Sequence, residues 1–492
     1  MSEKVKHKGF ALAVLAAAQF MVILDATIVN VALPAIQKAL GFTTDSQLQW
    51  VVTAYALTFG GFLLLGGRLA DLFGRRRIFL SGVALFAAAS LAGGLSQNPT
   101  MLITFRMIQG LGGAMLAPAA LSLVLNIFQE GQERNRALGI WSMISGAGGA
   151  VGLLLGGLLT QYVDWRWIFF INVPIAIIVL IIAERFVPEG ASQKKQRIDF
   201  TGALSITASL VSLVYALANA PVVGWGNSHT IIGLGLFGAL MVVFIVNELR
   251  IRHPLVTLGI FRRRNVSGGN LIQLFMPAAL FGMFFYLSIY LQQILHYSPT
   301  KTGAADIPFT LVLIVVAGVL SRKIGKINPK PVLVIAPLVV GAGLLVFSRV
   351  PVHGNYLTDI LPGILLMAAG MGAVFVTTTI VTTSGVSHEE SGLISGLLNT
   401  AQQIGGAIGL AALSVISTSV TKNDLLKAHG NAAAVPLALV HGYQRGFLIA
   451  SLFAVAASII ALVVLKVHKP NNSDMAQESE TEAESMAAIP GV

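Results

Sequence analysis

Long apolar runs recur along the whole chain and constrain its fold more than any other feature. A transmembrane helix needs about 20 consecutive, predominantly apolar residues. Charged residues make up 11% of the sequence, against about 25% in soluble domains. The sequence therefore predicts an all-α polytopic membrane protein with fourteen spans, near residues 10–33, 48–67, 78–97, 100–126, 137–161, 167–184, 200–220, 230–249, 267–293, 303–320, 331–349, 360–382, 392–418 and 442–466.

The distribution of Lys and Arg predicts how these spans are oriented. An even number of spans places both chain termini on one side of the membrane. If that side is the cytoplasm, 24 of the 32 Lys and Arg residues fall in cytoplasmic segments, as the positive-inside rule requires. We therefore expect a multi-pass protein of the plasma (inner) membrane with both termini in the cytoplasm. The net charge of +11 is then a topology signal, and no nucleic-acid partner is expected.

Two short glycine patterns occur twice in the same order. Residues 67–75 and 318–326 share the pattern G-x-L-x-(charged)-x-x-G-(basic), and residues 148–153 resemble residues 405–410. Spans 1–6 therefore correspond to spans 9–14, which is the arrangement of a transporter built from two parallel repeats around a midplane cavity. The predicted organisation is a six-helix bundle in 1–190, two inserted helices in 191–264, a second six-helix bundle in 265–469 and a disordered acidic tail in 470–492.

Asp25 lies inside the first apolar run. A carboxylate at the centre of a membrane helix costs roughly 2.5–3.5 kcal/mol, and such residues usually mark an ion or proton path. At 1.5 Å per residue, Asp25 in span 1 and Arg106 in span 4 lie at similar depth, so we expect them to form an ion pair. Two hypotheses follow: a fixed pair that holds the first half together, or a switch in which Asp25 exchanges a proton. The switch requires Asp25 to line a central cavity.

These residues carry a resemblance to a known family. The stretch from Leu24-Asp25 to Pro34, the loop 67–77, the Arg106-Met-Ile-Gln-Gly sequence and the segment 165–174 resemble signatures of the major facilitator superfamily, and within it of the fourteen-span drug:proton antiporters. The resemblance covers nearly the whole chain up to about residue 469. One departure is that Leu153 follows Gly152, where the antiporter signature of span 5 has proline.

The resemblance implies where the moving contacts lie. In the loop between spans 2 and 3, Asp71 is expected to bind the N-terminus of span 13 as a conformational latch, together with Gly67, Gly74 and Arg75. The alternative is that the basic residues of this loop serve only as topology signals. Small residues let helices approach closely, so the glycines of span 5 either pack statically or form a sliding contact against the other half; those assigned to gating are Gly148, Gly152, Gly156 and Gly157.

A multidrug cavity is expected to be apolar and aromatic with few polar groups. The candidate aromatic contacts are Tyr55, Phe281, Phe285 and Tyr286, with lipid-facing or packing roles as the alternative. The candidate polar contacts are Gln19, Asn30, Gln273, Asn399 and Gln402. Asp306, at the start of span 10, either contacts a cationic substrate or is an interfacial acid solvated from outside. The acids Asp199, Glu248, Glu389 and Glu390 are interpreted as residues at cytoplasmic ends that are either solvated or paired with loops.

The predicted function is proton-coupled multidrug efflux by alternating access. The substrates are expected to be lipophilic and cationic, because an ionised Asp25 attracts a cation and a protonated one does not. The alternative is an exporter or flippase for a lipid or endogenous amphiphile. An enzyme is not expected, since no cluster of catalytic side chains lies at one depth. No cofactor or metal is expected, the chain has no Cys, and a monomer in contact with membrane lipids is expected.

Overall fold

The computed structural model describes residues 8–128, 132–189, 199–251, 254–256, 258–323, 327–383, 388–428 and 431–466. Within these ranges the regular structure is helical and no strand occurs. The predicted tail, 470–492, lies outside them. The helices are α1 (Lys8–Leu40), α2 (Asp45–Leu48), α3 (Trp50–Phe73), α4 (Arg75–Gly94), α5 (Pro99–Ile127), α6 (Gln132–Tyr162), α7 (Trp167–Phe170), α8 (Asn172–Phe186), α9 (Phe200–Val223), α10 (Ser228–Arg250), α11 (Arg264–Ile289), α12 (Pro299–Ala305), α13 (Ile307–Lys323), α14 (Pro329–Phe347), α15 (Leu361–Thr383), α16 (His388–Lys427) and α17 (Val435–Val463).

The predicted membrane spans correspond to helices of the observed fold. Among the described residues, thirteen helices are long and apolar enough to cross a membrane. The remaining predicted span, 137–161, lies in α6, whose apolar segment within the described part is Val151–Tyr162. Two π-helical turns, Tyr290–Ile294 and Tyr356–Ile360, extend α11 and lead into α15. The all-helical membrane fold is confirmed.

The contacts between helices repeat from one half of the chain to the other. In the first half, α1 packs against α5, α6 and α8, while α5 packs against α3 and α4. In the second half, α11 packs in the same way against α15, α16 and α17, while α15 packs against α13 and α14. Two of the contacts between halves are also equivalent, since α3 meets α16 and α6 meets α12 and α13. The predicted internal repeat is therefore visible in three dimensions.

Glycines explain the closest of these repeated contacts. In α6, a Cβ at Gly152 would overlap the hydroxyl of Thr27 on α1. In the equivalent helix α16, a Cβ at Gly409, which corresponds to Gly152 in the repeated pattern, would overlap Ala278 on α11. A side chain at either position would force the helices apart, so the duplicated glycine pattern encodes the same helix pairing twice.

We use two names for the ends of the bundle. The termini face carries the beginning of α1 and the end of α17, where Lys466 N donates to Asn265 Oδ1 at the start of α11. The far face is the opposite end, which carries the α1–α3 connection and the beginning of α17.

The inserted pair, α9 and α10, lies at the seam between the halves. α9 contacts both α3 and α16, whereas α10 packs on α9 and exposes apolar side chains such as Ile232 and Leu249. Because α10 covers neither half, its apolar surface is the part of the insert that faces lipid.

Two acids of this insert are paired with loop and helix-end groups, which is the second of the two alternatives stated for them. Asp199 and Glu248 are 3% and 5% exposed. Asp199 Oδ1 accepts from Gly202 N at 2.7 Å and from Asn247 Nδ2 at 2.8 Å. Glu248 Oε2 accepts from Val256 N at 2.9 Å. Asp199 thus caps α9 and also binds α10, while Glu248 binds the backbone of the segment that follows α10. The side chains of the other two acids, Glu389 and Glu390, lie outside the described residues.

Substitution of one glycine at the duplicated contact tests this packing. We expect Gly405→Ala to lower the stability of the fold by about 1–3 kcal/mol, the usual cost of overpacking, because its Cβ would overlap backbone of α11. Thermal unfolding of the detergent-purified protein measures this. Gly149→Ala is the matched control, since a Cβ at Gly149 meets nothing within 4 Å. Equal melting temperatures for the two variants would contradict the packing described.

Candidate functional site

An ion pair between α1 and α5 lies inside the first half. Arg106 Nη1 donates to Asp25 Oδ2 at 2.6 Å, and the two side chains are 1% and 0% exposed. The predicted pairing of these residues is confirmed. Buried charges are tolerated when they are paired and hydrogen-bonded, so the pair ties α1 to α5.

Three more side chains complete the network around Asp25. Gln109 Nε2 and Asn172 Nδ2 donate to Asp25 Oδ1 at 2.8 and 2.9 Å. Gln109 Oε1 accepts from Arg106 at 2.8 Å, and Asn172 Nδ2 also donates to Ser90 Oγ at 3.0 Å. Sequence reasoning missed Gln109 and Asn172 as partners. For Gln109 the signal was present, because residues three apart share a helix face.

Arg106 also fastens α3 to the network. Its Nε donates to Val51 O at 2.8 Å, and its guanidinium carbon lies 4.4 Å from the centroid of the Tyr55 ring, a cation–π distance. Tyr55 is 3% exposed. Its predicted role as a substrate contact is therefore not supported in this conformation, because the ring is buried and packs against the guanidinium of Arg106.

Asp25 does not line a cavity, contrary to the expectation that the switch hypothesis requires. Its carboxylate is 0% exposed and accepts from three side chains on α5 and α8. The physical reason is that a charged carboxylate in hydrocarbon needs several donors, and neighbouring helices of the same half supply them. In this conformation the network therefore has the properties of the first hypothesis, a fixed pair that holds the first half together.

The halves are joined at the far face by polar contacts. Between α1 and α11, Ser288 Oγ donates to Asn30 O at 2.7 Å and Gln292 Nε2 donates to Val31 O at 2.8 Å. Gln293 Nε2 donates to Gln37 Oε1 at 2.8 Å. We call this set, together with the α6–α12 contact, the far-face closure. Asn30, predicted to contact substrate, instead contributes its carbonyl oxygen to this closure.

The predicted gating glycines of α6 divide into two groups. Cβ atoms at Gly148, Gly152 and Gly156 would meet α1, which belongs to the same half. A Cβ at Gly157 would lie 2.6 Å from Pro299 O on α12 of the other half. The prediction of a sliding contact against the other half is therefore wrong for the first three and stays a prediction for Gly157.

The loop between α3 and α4 turns at a glycine. Gly74 has φ +99°, a conformation that favours glycine, and a Cβ added at Gly67 would lie 3.7 Å from Pro118 Cβ, an ordinary van der Waals distance. The side chain of Asp71 lies outside the described residues, so its role and that of Arg75 as a latch stay predictions.

Arg76 and Arg77, which follow this loop, bind residues just after α8, the last helix of the first half. Arg76 Nη1 donates to Val187 O at 3.2 Å, and Arg77 Nε donates to Glu189 Oε1 at 3.1 Å. A cation at the end of α8 is favoured by the helix dipole, so the two residues have a local structural role besides any topology signal.

A cavity of about 220 Å³ lies in the termini-face part of the second half. Three of the predicted polar contacts meet there, as do an aromatic and a hydroxyl side chain. The lining residues are Gln273, Phe375, Thr379, Leu398, Asn399 and Gln402. Its mixture of apolar wall and uncharged polar groups suits a small lipophilic ligand.

The predicted aromatic contacts lie elsewhere. Phe285 and Tyr286 are 0% exposed, and the Tyr286 ring packs 5.4 Å from the ring of Tyr443. Their assignment to a cavity is wrong in this conformation, because both side chains point into the core of the second half. Phe281 is partly buried and packs over Gly406. Gln19, one of the predicted polar contacts, is also partly buried, and its Oε1 has no hydrogen-bond partner in the described part of the chain.

Asp306 is not solvated from outside, and that alternative is wrong. The residue is 2% exposed and lies between α12 and α13. It does not line the cavity, so direct substrate contact is not supported in this conformation. Its Oδ1 has no hydrogen-bond partner among the described residues.

A third acid, Asp45, lies in the connection between α1 and α3 at the far face. Gln37 Nε2 and Tyr443 OH reach its carboxylate at 3.4 Å each, so Asp45 bridges the two halves. Burial raises the pKa of Asp45, and the hydrogen bonds from Gln37 and Tyr443 oppose that rise. A neutral Asp45 is therefore favoured by closure of the far face.

Comparison with known proteins places this architecture. The family model described as "Major Facilitator Superfamily" matches residues 15–410. The chain belongs to the Major Facilitator Superfamily. It is 40% identical over 478 residues to the puromycin resistance protein pur8 of Streptomyces alboniger, covering 96% of this chain and 93% of that one. It is 36% identical over 467 residues to the cephamycin export protein CmcT of Amycolatopsis lactamdurans, covering 94% of each.

Solved structures show the same fold. A bacterial homolog of the human lysosomal transporter Spinster, captured in an inward-facing and unoccupied conformation, superposes with a TM-score of 0.68 at 15% identity, covering 94% of this chain and 97% of that one. This Major Facilitator Superfamily protein is thus a multi-pass membrane transporter and not an enzyme.

The network in this Major Facilitator Superfamily transporter can be tested by removing one charge and then both. We expect Asp25→Asn to lower stability by about 3–5 kcal/mol, because Arg106 would stay buried without its counter-ion. Asp25→Asn combined with Arg106→Gln should recover part of the melting temperature. If the pair only holds the first half together, the double variant should also transport. A double variant that recovers folding but does not transport would favour the switch, in which Asp25 exchanges a proton.

The acid at the far face predicts a pH dependence. Because the pKa of Asp45 is raised in the closed state, this contribution to closure is present at low pH and is lost as the pH rises through the raised pKa. Hydrogen exchange of the amides in 41–49, corrected for the chemical rate, measures local opening. Asp45→Asn should reduce the pH dependence by one proton, and an unchanged dependence would contradict the assignment.

Proposed function

We propose that this transporter exports lipophilic, cationic antibiotics across the plasma membrane by alternating access, driven by protons that enter the cell. Its termini face is assigned to the cytoplasm on the distribution of Lys and Arg. Two relatives similar over almost their whole length are named for puromycin resistance and cephamycin export, which supports export of antibiotics as the activity.

One observation carries the transport mechanism. The halves are hydrogen-bonded to each other at the far face, while the cavity at Gln273 and Gln402 lies toward the termini face. A transporter that releases its substrate at the far face must break these contacts and form equivalent ones at the other end. The duplicated pairing of α3 with α16 and of α6 with α12 supplies two symmetric seams about which the halves can rock.

Proton coupling is supported by acids held within the membrane helices. An antiporter needs a group that is charged in one state and neutral in another. Asp306 is the acid placed for this, whereas Asp25 is held by Arg106, Gln109 and Asn172 and would exchange a proton only after that network opened. Each net charge that moves inward gains about 2.3 kcal/mol per 100 mV of membrane potential, so the potential drives export only when more proton charge enters than substrate charge leaves.

Reconstitution tests the function directly. Purified protein in liposomes with an acidic lumen should accumulate puromycin, and nigericin, which collapses the pH gradient, should abolish the accumulation. Protein-free liposomes are one control. Movement of a fluorescent phospholipid without any puromycin gradient would overturn drug export and favour the lipid alternative.

A locked variant tests alternating access. Gln37 and Gln293 are hydrogen-bonded across the far face, and the chain has no native Cys. A cross-linker between Gln37→Cys and Gln293→Cys should stop transport, and a cleavable linker should restore it on reduction. Transport that continues in the cross-linked protein would contradict the proposed opening of the far face.

A further inference from the structure

Asp306 lies at a break between two helices that the sequence imposes. α12 ends at Ala305 and α13 begins at Ile307. Pro308 has no N–H and cannot continue the hydrogen-bond ladder of α12. The break therefore places Asp306 between two helices of one membrane-spanning segment.

The environment of Asp306 differs from that of Asp25. Asp25 accepts hydrogen bonds from Arg106, Gln109 and Asn172. Asp306 is 2% exposed, its Oδ1 has no partner, and no ion pair involves it within the described ranges. An isolated carboxylate buried in a low-dielectric medium neutralises rather than remain charged.

Neighbouring titratable groups do not offset that burial. The hydroxyl of Tyr356 donates to Ala305 O at 2.7 Å, next to the Asp306 carboxyl. The ammonium of Lys301 lies 3.6 Å from the centroid of the Tyr297 ring. On the elements in contact with α12 or α13 and the segments next to them, the titratable side chains toward the far face include Lys38, Tyr162, Tyr290, Tyr297, Lys301, Tyr356 and Asp359.

The helix that precedes Asp306 forms part of the far-face closure. A Cβ at Gly303 would overlap the carbonyl oxygen of Leu153 on α6, and a Cβ at Gly157 would lie 2.6 Å from Pro299 O. Thr300 N donates to Gln161 Oε1 at 3.2 Å. The helix that precedes Asp306 is thus packed backbone to backbone against the other half, so separation of the halves changes the surroundings of Asp306.

We propose that Asp306 is a proton-binding site loaded from the far face, and that its protonation is required for the far face to close. The carboxylate takes one proton from far-face water and becomes the neutral acid that the closed seam can bury. This deepens the proposed proton-coupled export and rests on it, since it makes Asp306 the acid that moves one proton with each closure. Asp25 remains the fixed partner of Arg106.

Spin-label distances test this without any drug. The chain has no native Cys, so labels at Tyr162→Cys and Leu357→Cys, which replace side chains 71% and 67% exposed in opposite halves, report the far-face separation. In the parent, the distance should lengthen as the pH rises. Asp306→Asn, a neutral isostere of the protonated acid, should fold and lose the part of that shift due to Asp306.

Two further variants sharpen the result. Asp306→Glu should retain a pH-dependent shift, and Asp45→Asn, which removes another acid of the far face, should keep the transition that depends on Asp306. A titration of Asp306→Asn identical to the parent would overturn the proposal. If the parent exports puromycin under proton drive while Asp306→Asn titrates like the parent, the inference fails and the proposed function stands. If the distance follows Asp306 but no drug is exported, the proposed function fails and the proton site stands.

Discussion

A carboxylate within a hydrocarbon layer must be paired, hydrated or neutral, and this constraint accounts for most of what is specific in the structure. Asp25 meets it by pairing. Its network draws on α1, α4, α5 and α8, and Arg106 extends it to α3. The first half is therefore held together by a charge that could not be buried alone, and the helices that satisfy the charge become a rigid unit.

Asp306 meets the same constraint in another way. No donor comparable to Arg106 faces it in the described part of the second half, and the helix before it packs against the other half. A contact between halves changes during transport, whereas a network within one half need not. This difference separates a structural acid from one whose protonation is linked to conformation.

The fold was predictable because the features that determine it can be read along the sequence without knowing how the helices pack. Span length, the Lys and Arg distribution and the duplicated glycines are read directly, and a rise of 1.5 Å per residue sufficed to pair Asp25 with Arg106. The faces of nearly uniformly apolar helices were not predictable. Phe285 and Tyr286 point into the core, because composition does not say which side of such a helix meets the cavity.

For the loop-end acids, the sequence left open whether they are solvated or paired with loops, for a related reason. Asp199 and Glu248 lie at the termini-face ends of their helices, where solvation is the ordinary outcome. Their partners, Gly202, Asn247 and Val256, become close only once the insert folds back on itself. Gln109 was within reach of sequence reasoning, since it shares a face of α5 with Arg106; Asn172 required the packing of α8 against α1.

The central claim is that the two membrane acids differ in ionisation, and this can be observed at the carboxyl groups themselves. Solid-state NMR of protein labelled with ¹³C at aspartate Cγ and reconstituted in lipid resolves the protonation state, and the signals are assigned by their absence in Asp25→Asn and Asp306→Asn. The account predicts a carboxylate signal for Asp25, which is paired with Arg106, while the Asp306 signal is that of the neutral acid when the far face is closed and changes when it opens. An Asp25 signal that titrates while Asp306 stays constant would contradict it.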